Sequence, residues 1–178
     1  MFVEDSRIIG DVAGNAHEVR CDSEILSGHS DVTLVHGHPI GVPLSEQDYI
    51  CLTANSRLKS IIAYNKRGEY SKMTKQKKPF IFRLLPKKVW DNIKKVRILT
   101  AKSMFEEINN RDWIELMERA VKVKEAHKNM IKEEVLATEE GRKLLDLAKR
   151  LLIKINNIWA QNKLFFGINY ETDYSRLI

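Results

Sequence analysis

The feature that most constrains the fold is a change of hydrophobic period near residue 85. Upstream, apolar residues come in short runs separated by turn-forming residues. "FVEDSRIIG" and "AHEVRC" flank "DVAGN", whose Gly14-Asn15 is a turn dipeptide, so the pattern predicts a hairpin. "DVTLVH" (31–36) is short and β-branched, as a buried strand should be. "LKSIIAYN" and "EYSKM" flank "KRG", a second hairpin in which Gly68 can supply the positive φ. Between them, "SEQDYICLTANSR" reads as a helix with Ser45 as N-cap and Asp48 completing an acidic capping box.

Downstream the period becomes helical. Pro86 opens a short predicted helix. "RDWIELMERAVKVKEAHKNMIKEEV" places Trp113, Leu116, Met117, Ala120, Val123, His127 and Met130 on one stripe. "TEEGRKLLDLAKRLLIKINNIWAQ" does the same with Leu144, Ala148, Leu151, Ile155, Ile158 and Trp159, behind a Thr138 cap, and Gly141 is read as weakening its first turn only. Both stripes are narrow and backed by charge, so each helix packs on one side. The expectation is an α+β chain: a small mixed sheet with helices over residues 1–100, then a helical hairpin over residues 101–178 packed on it.

Charge is unevenly spread. The chain of 178 residues carries a net +6, and residues 72–97 hold ten Lys/Arg against one acid, Asp91. Such a run suits an acidic partner or nucleic acid, with Phe80, Phe82 and Trp90 available to stack on bases; the plainer reading is a solvated face. Two cysteines, Cys21 and Cys51, make no disulfide framework and no C-x-x-C pair, so reduced thiols are expected. No stretch approaches the roughly eighteen apolar residues of a membrane span, and the N-terminus lacks the basic and apolar regions of a signal peptide.

The chemistry concentrates in "LVHGHPIGVPLSEQD". Residues two apart on a strand share a face, so His36 and His38 present both imidazoles to one side, and Pro39 ends the strand beside them. A carboxylate in the first helical turn, Asp48, can face back over that strand end. Two histidines and an aspartate with a fourth position open form a catalytic zinc pattern, whereas structural sites are closed, typically by cysteines. Alternatives are an H-x-H pair in a surface loop with an ordinary helix cap, and a divalent-metal nuclease site. His17 and His29 fall in turn regions, His127 on an apolar stripe, and Trp90, Trp113 and Trp159 at packing positions.

"HGHPIGVPLSEQD" resembles the signature of the JAMM (JAB/MPN-type) zinc metallopeptidases, H-[S/T]-H-P followed by a short loop and S-x-x-D. It is most similar to the JAB-like domains of phage structural proteins and bacterial polymorphic toxins, over roughly residues 1–75, and "GINYETDY" after a long helix echoes the phage-type members. Gly37 stands where the peptidases usually carry serine or threonine. The resemblance implies a JAB/MPN-like sheet, zinc held by His36, His38 and Asp48, and Ser45 as donor to the developing oxyanion. It also implies an upstream glutamate as general base: Glu4, with Glu18 and Glu24 as alternatives. The implied activity is hydrolysis of a peptide or isopeptide bond in a protein or peptide substrate. The setting would be cytoplasmic, or a target cell reached as part of a longer protein. The competing functions are a metal-dependent nuclease or nucleic-acid-binding domain, and a catalytically silent JAB-like scaffold.

Overall fold

Asp5 and Ser6 both take positive φ, 46° and 64°, and that pair of left-handed residues folds the first apolar run back on itself. The predicted single strand is therefore a hairpin, β1 (Phe2–Glu4) against β2 (Arg7–Gly10). Positive φ at both central residues matches the right-handed twist of the strands they join. This computed structural model describes residues 1–11, 24–38, 43–77 and 84–173. The predicted Gly14-Asn15 turn, Cys21, His17, Phe80 and Phe82 lie outside the described residues.

The remaining strands are β3 (Val32–Gly37), β4 (Leu58–Tyr64), β5 (Tyr70–Lys75) and β6 (Ile168–Thr172). They form a six-stranded mixed sheet in the order β2-β1-β3-β4-β5-β6. Among the described strands only β3 and β4 run parallel, His36 beside Ala63 and Gly37 beside Tyr64. A parallel pair needs a crossover, and α1 (Glu46–Ala54) lies in it. β4 and β5 form the predicted hairpin, with Gly68 at φ +79° in its turn.

The fold is α+β, as the change of period predicts, but the helical half is longer and more continuous than its local signals. Behind Pro86, α2 runs from Lys87 to Glu107, crossing residue 100, where a short helix was expected. It passes through a π-helical turn (Ile108–Asp112) directly into α3 (Trp113–Ala126). A short α4 (Lys132–Ala137) precedes α5 (Glu139–Phe166), whose Thr138 hydroxyl accepts from the Gly141 N–H at 3.0 Å, the predicted cap. Gly141 does more than weaken a turn. A Cβ there would sit 1.9 Å from the Val135 carbonyl oxygen, so only glycine lets α4 and α5 meet.

One core joins both halves. Phe2, Leu34, Tyr49, Ile61 and Met73 are buried together with Phe105, Leu151, Ile155, Trp159 and Phe166. The Tyr49 hydroxyl donates to the Phe166 carbonyl at 3.0 Å, and Tyr49, Phe105 and Phe166 surround Trp159 at ring separations of 5.1–5.4 Å. Such packing clamps α1 between the sheet and α5. Cys51, on α1, is disulfide-bonded, contrary to the reduced thiol expected of it. Among the described residues no helix is long and apolar enough to cross a membrane.

Candidate metal centre

β3 buries Val32 and Leu34 on its α1 side, and His36 continues that alternation at the strand's C-terminal end. His38 follows one step beyond, its backbone N–H donating to the Tyr64 carbonyl at 2.8 Å, which ties the strand end to β4. Gly37 between them is not forced by space. An added Cβ would meet Tyr64 at 3.8–3.9 Å, ordinary contact, so the serine or threonine of the peptidase signature would fit.

Asp48 arrives from the other side, through the cap. The Ser45 backbone N–H and hydroxyl donate to Asp48 Oδ2 at 2.7 and 2.8 Å, and the Asp48 N–H donates back to Ser45 Oγ at 3.3 Å. The predicted capping box is present. Its geometry does more than cap, because it fixes the carboxylate at the first turn of α1, facing the end of β3.

The result is a convergence. His36 Nε2 and His38 Nε2 are 2.9 Å apart; Asp48 Oδ1 is 2.9 Å from His36 Nε2, and Oδ2 is 3.6 Å from His38 Nε2. One ligand atom from each residue can be chosen so that all lie within 4.8 Å of one another. Asp48 is fully buried, yet its Oδ1 makes no aligned hydrogen bond despite the 2.9 Å approach to His36. A buried carboxylate with Oδ1 toward one imidazole nitrogen and Oδ2 toward the other completes a donor set that can hold a metal ion.

The electrostatics agree. Burial pushes the Asp48 carboxyl up, but the close contact with His36, the charges of His36 and His38, and the Ser45 backbone N–H together hold it below the usual carboxylate value. Asp48 is thus kept ionised inside the protein, as a ligand must be.

Glu4 is not brought to this group. In the antiparallel pairing Phe2 faces Leu34 and Val3 faces Thr33, so Glu4 points toward the start of β3 while His36 lies toward its end. Four residues of strand separate the two levels, about 13 Å. There Glu4 is engaged otherwise: Oε2 meets His29 Nδ1 at 2.7 Å and Oε1 accepts from the Ser30 N–H at 2.8 Å. The His29 contact and then the Ser30 N–H draw its pKa down. His29, expected to be solvated, is half-buried by this contact. Glu24 opens a turn whose Leu26 carbonyl accepts from Arg57, again beside the start of β3 and β4. Glu18 lies outside the described residues. His127, expected at a core or boundary position of the apolar stripe, is half-buried at the end of α3, 3.8 Å from Glu140.

Two further side chains support the group, Trp159, whose spacing marks it as packing, and Ser71, which no local motif marks. The Trp159 indole N–H donates to the Leu44 carbonyl at 2.7 Å, and Ser71 Oγ accepts from the Leu44 N–H at 3.0 Å. Both polar groups of the residue before the Ser45 cap are therefore held by buried side chains. The one available signal was that a buried tryptophan needs an acceptor.

Comparison with known proteins finds no match, whether to a protein-family model, a curated protein or a solved structure.

Proposed function

We propose that this chain is a zinc-dependent hydrolase of peptide or isopeptide bonds, of the JAMM type its signature resembles. The observation that carries the reading is the convergence of His36, His38 and the buried, ionised Asp48 at a strand-loop-helix junction. Zinc held there would supply Lewis acidity and lower the pKa of bound water toward about 7.

The chain's own residues do the rest. His36 and His38 offer Nε2 to the centre, and Asp48 offers a carboxylate locked by the Ser45 cap. Ser45 stands at the same junction, and turning its hydroxyl from Asp48 toward substrate makes it the oxyanion donor, a position worth roughly 3 kcal/mol in such reactions. A carboxylate must take the proton of the attacking water and return it to the leaving amine. Glu4 and Glu24 stand by the start of β3, away from the histidines, which favours Glu18 for that role. The substrate is a protein or peptide, and the setting a phage protein or bacterial effector, cytoplasmic or delivered to a target cell within a longer chain.

Elemental analysis of purified protein tests the centre directly. One zinc per chain is expected in the wild type, with zinc and hydrolysis lost together in His36→Ala/His38→Ala. Full zinc occupancy in that double variant would overturn the reading.

A further inference from the structure

The cations of residues 72–97 are not all spread over a solvated face. Lys75 and Lys77 from the end of β5, with Lys94 and Arg97 from α2, line one cleft of about 420 Å³. No Asp or Glu is among the described residues lining it. The cleft adjoins Thr53 and Ser56, at the C-terminal end of α1, whereas the His36, His38 and Asp48 group sits at that helix's N-terminal end. It is a separate site.

We propose that this cleft binds a nucleotide unit, a phosphate beside a planar base. Its volume lies in the range of small-ligand pockets. Arg97 is held in place there. Its guanidinium lies over the Trp90 ring, 5.7 Å from the centroid, and against Gly167, where an added Cβ would come within 2.6 Å of Nη1. A guanidinium fixed between an indole and a backbone is a pre-placed fork for phosphate oxygens. Trp90 gives the lining a planar ring and the exposed Leu164 an apolar flank that a base can lie against. An acidic peptide would match the charge but bring nothing planar to that surface.

A purely structural role accounts for half of the cations. Lys75 donates to the Asn55 carbonyl at the end of α1, and Arg97 lies at the end of α5, where positive charge offsets the helix dipole. It does not account for Lys77 and Lys94, which make no hydrogen bond or ion pair among the described residues and yet face the same cleft.

The test is calorimetric titration of the intact protein with AMP, with a short oligothymidylate, and with an oligoglutamate of matched charge. AMP or oligothymidylate should bind, and Lys77→Ala/Lys94→Ala should weaken that binding by about tenfold or more. Because neither lysine holds a hydrogen bond or ion pair among the described residues, circular dichroism of the variant should be unchanged. Trp90→Leu should weaken binding and Trp90→Phe should restore part of it. Oligothymidylate binding far above AMP, with a log–log salt slope that falls by about 1.4 in the double variant, identifies a single strand as the source of the nucleotide. Comparable affinities identify a free nucleotide. Absence of binding by both, equal binding of oligoglutamate, or undiminished affinity in the double variant overturns the proposal. None of these outcomes depends on the metal centre.

Discussion

Trp159 donates its indole N–H to the carbonyl oxygen of Leu44 across 2.7 Å of buried core. The two residues are 115 apart in the chain, and the bond ties the longest helix to the residue that precedes the Ser45 cap. Position of the Asp48 carboxylate therefore depends on a side chain from the C-terminal half. Among the described residues, that half supports the group of His36, His38 and Asp48 without adding a member to it.

Trp159→Phe isolates this bond. The ring volume is largely kept, but a buried carbonyl loses its donor, which costs about 1–3 kcal/mol. The urea midpoint should fall accordingly, and zinc affinity should fall with it because Leu44 is freed next to the cap. A stability loss with unchanged zinc affinity would show that Leu44 does not set the ligand geometry.

Ser45→Ala removes the other support of Asp48. The cap itself is worth about 1 kcal/mol, and loss of a group that orients a ligand typically weakens metal binding by about 10- to 100-fold. Ser45→Thr should recover both. If Ser45→Ala holds zinc as tightly as the wild type but no longer hydrolyses substrate, the hydroxyl acts on the substrate alone.

What could be read from the sequence was local. His36 and His38 come together because they are two apart where β3 ends, and Ser45 meets Asp48 because a capping box spans three residues. Thr138 and Gly68 are legible for the same reason, each being fixed by its immediate neighbours. What could not be read depends on register or distance. Ser71 pairs with Thr172 at the sheet edge, and nothing local in "INYET" names its partner strand. Glu4 looked suitable because it sits in an apolar strand upstream of the histidines. Only the pairing of Phe2 with Leu34 shows that Glu4 stands at the level of the start of β3, away from the histidines. The short helix expected behind Pro86 instead runs on to Glu107, and a π-helical turn over Ile108–Asp112 carries it into α3, a continuity that no local motif announces.

Asp112, at the end of that turn, gives a pH dependence. Lys154 donates to its carboxylate at 2.7 Å and holds its pKa below the usual value, against a smaller opposing effect of burial. A carboxylate depressed on folding contributes stability that is fully present above its unfolded pKa, about 3.9, and is lost as pH falls through the lower folded value. The pair is partly exposed, so its worth at neutral pH is about 0.5–1 kcal/mol. Asp112→Asn should therefore lower stability at pH 7 and leave it little changed at strongly acid pH, seen as a flatter acid limb in denaturation midpoints. Equal destabilisation at both pH values would assign the effect to packing instead of charge.

The proton acceptor is the sharpest test of the mechanism. Glu4 is occupied by His29 and Ser30 at the far end of β3, so Glu4→Gln should retain zinc and most of the hydrolytic activity. Its cost should be to the anchoring of the first hairpin, and it should appear as faster amide exchange around Ser30. Glu18→Gln should also retain zinc but abolish hydrolysis, because an amide cannot accept the proton of the attacking water. The rate should fall by about 10²- to 10⁴-fold, the usual contribution of a general base, while the affinity for substrate changes little. A dead Glu4→Gln beside an active Glu18→Gln would mean that β1 shifts its register when substrate binds, and the assignment would return to Glu4. Full activity in both, and in Glu24→Gln, would leave the centre without a carboxylate base among the three and count against hydrolysis by this site.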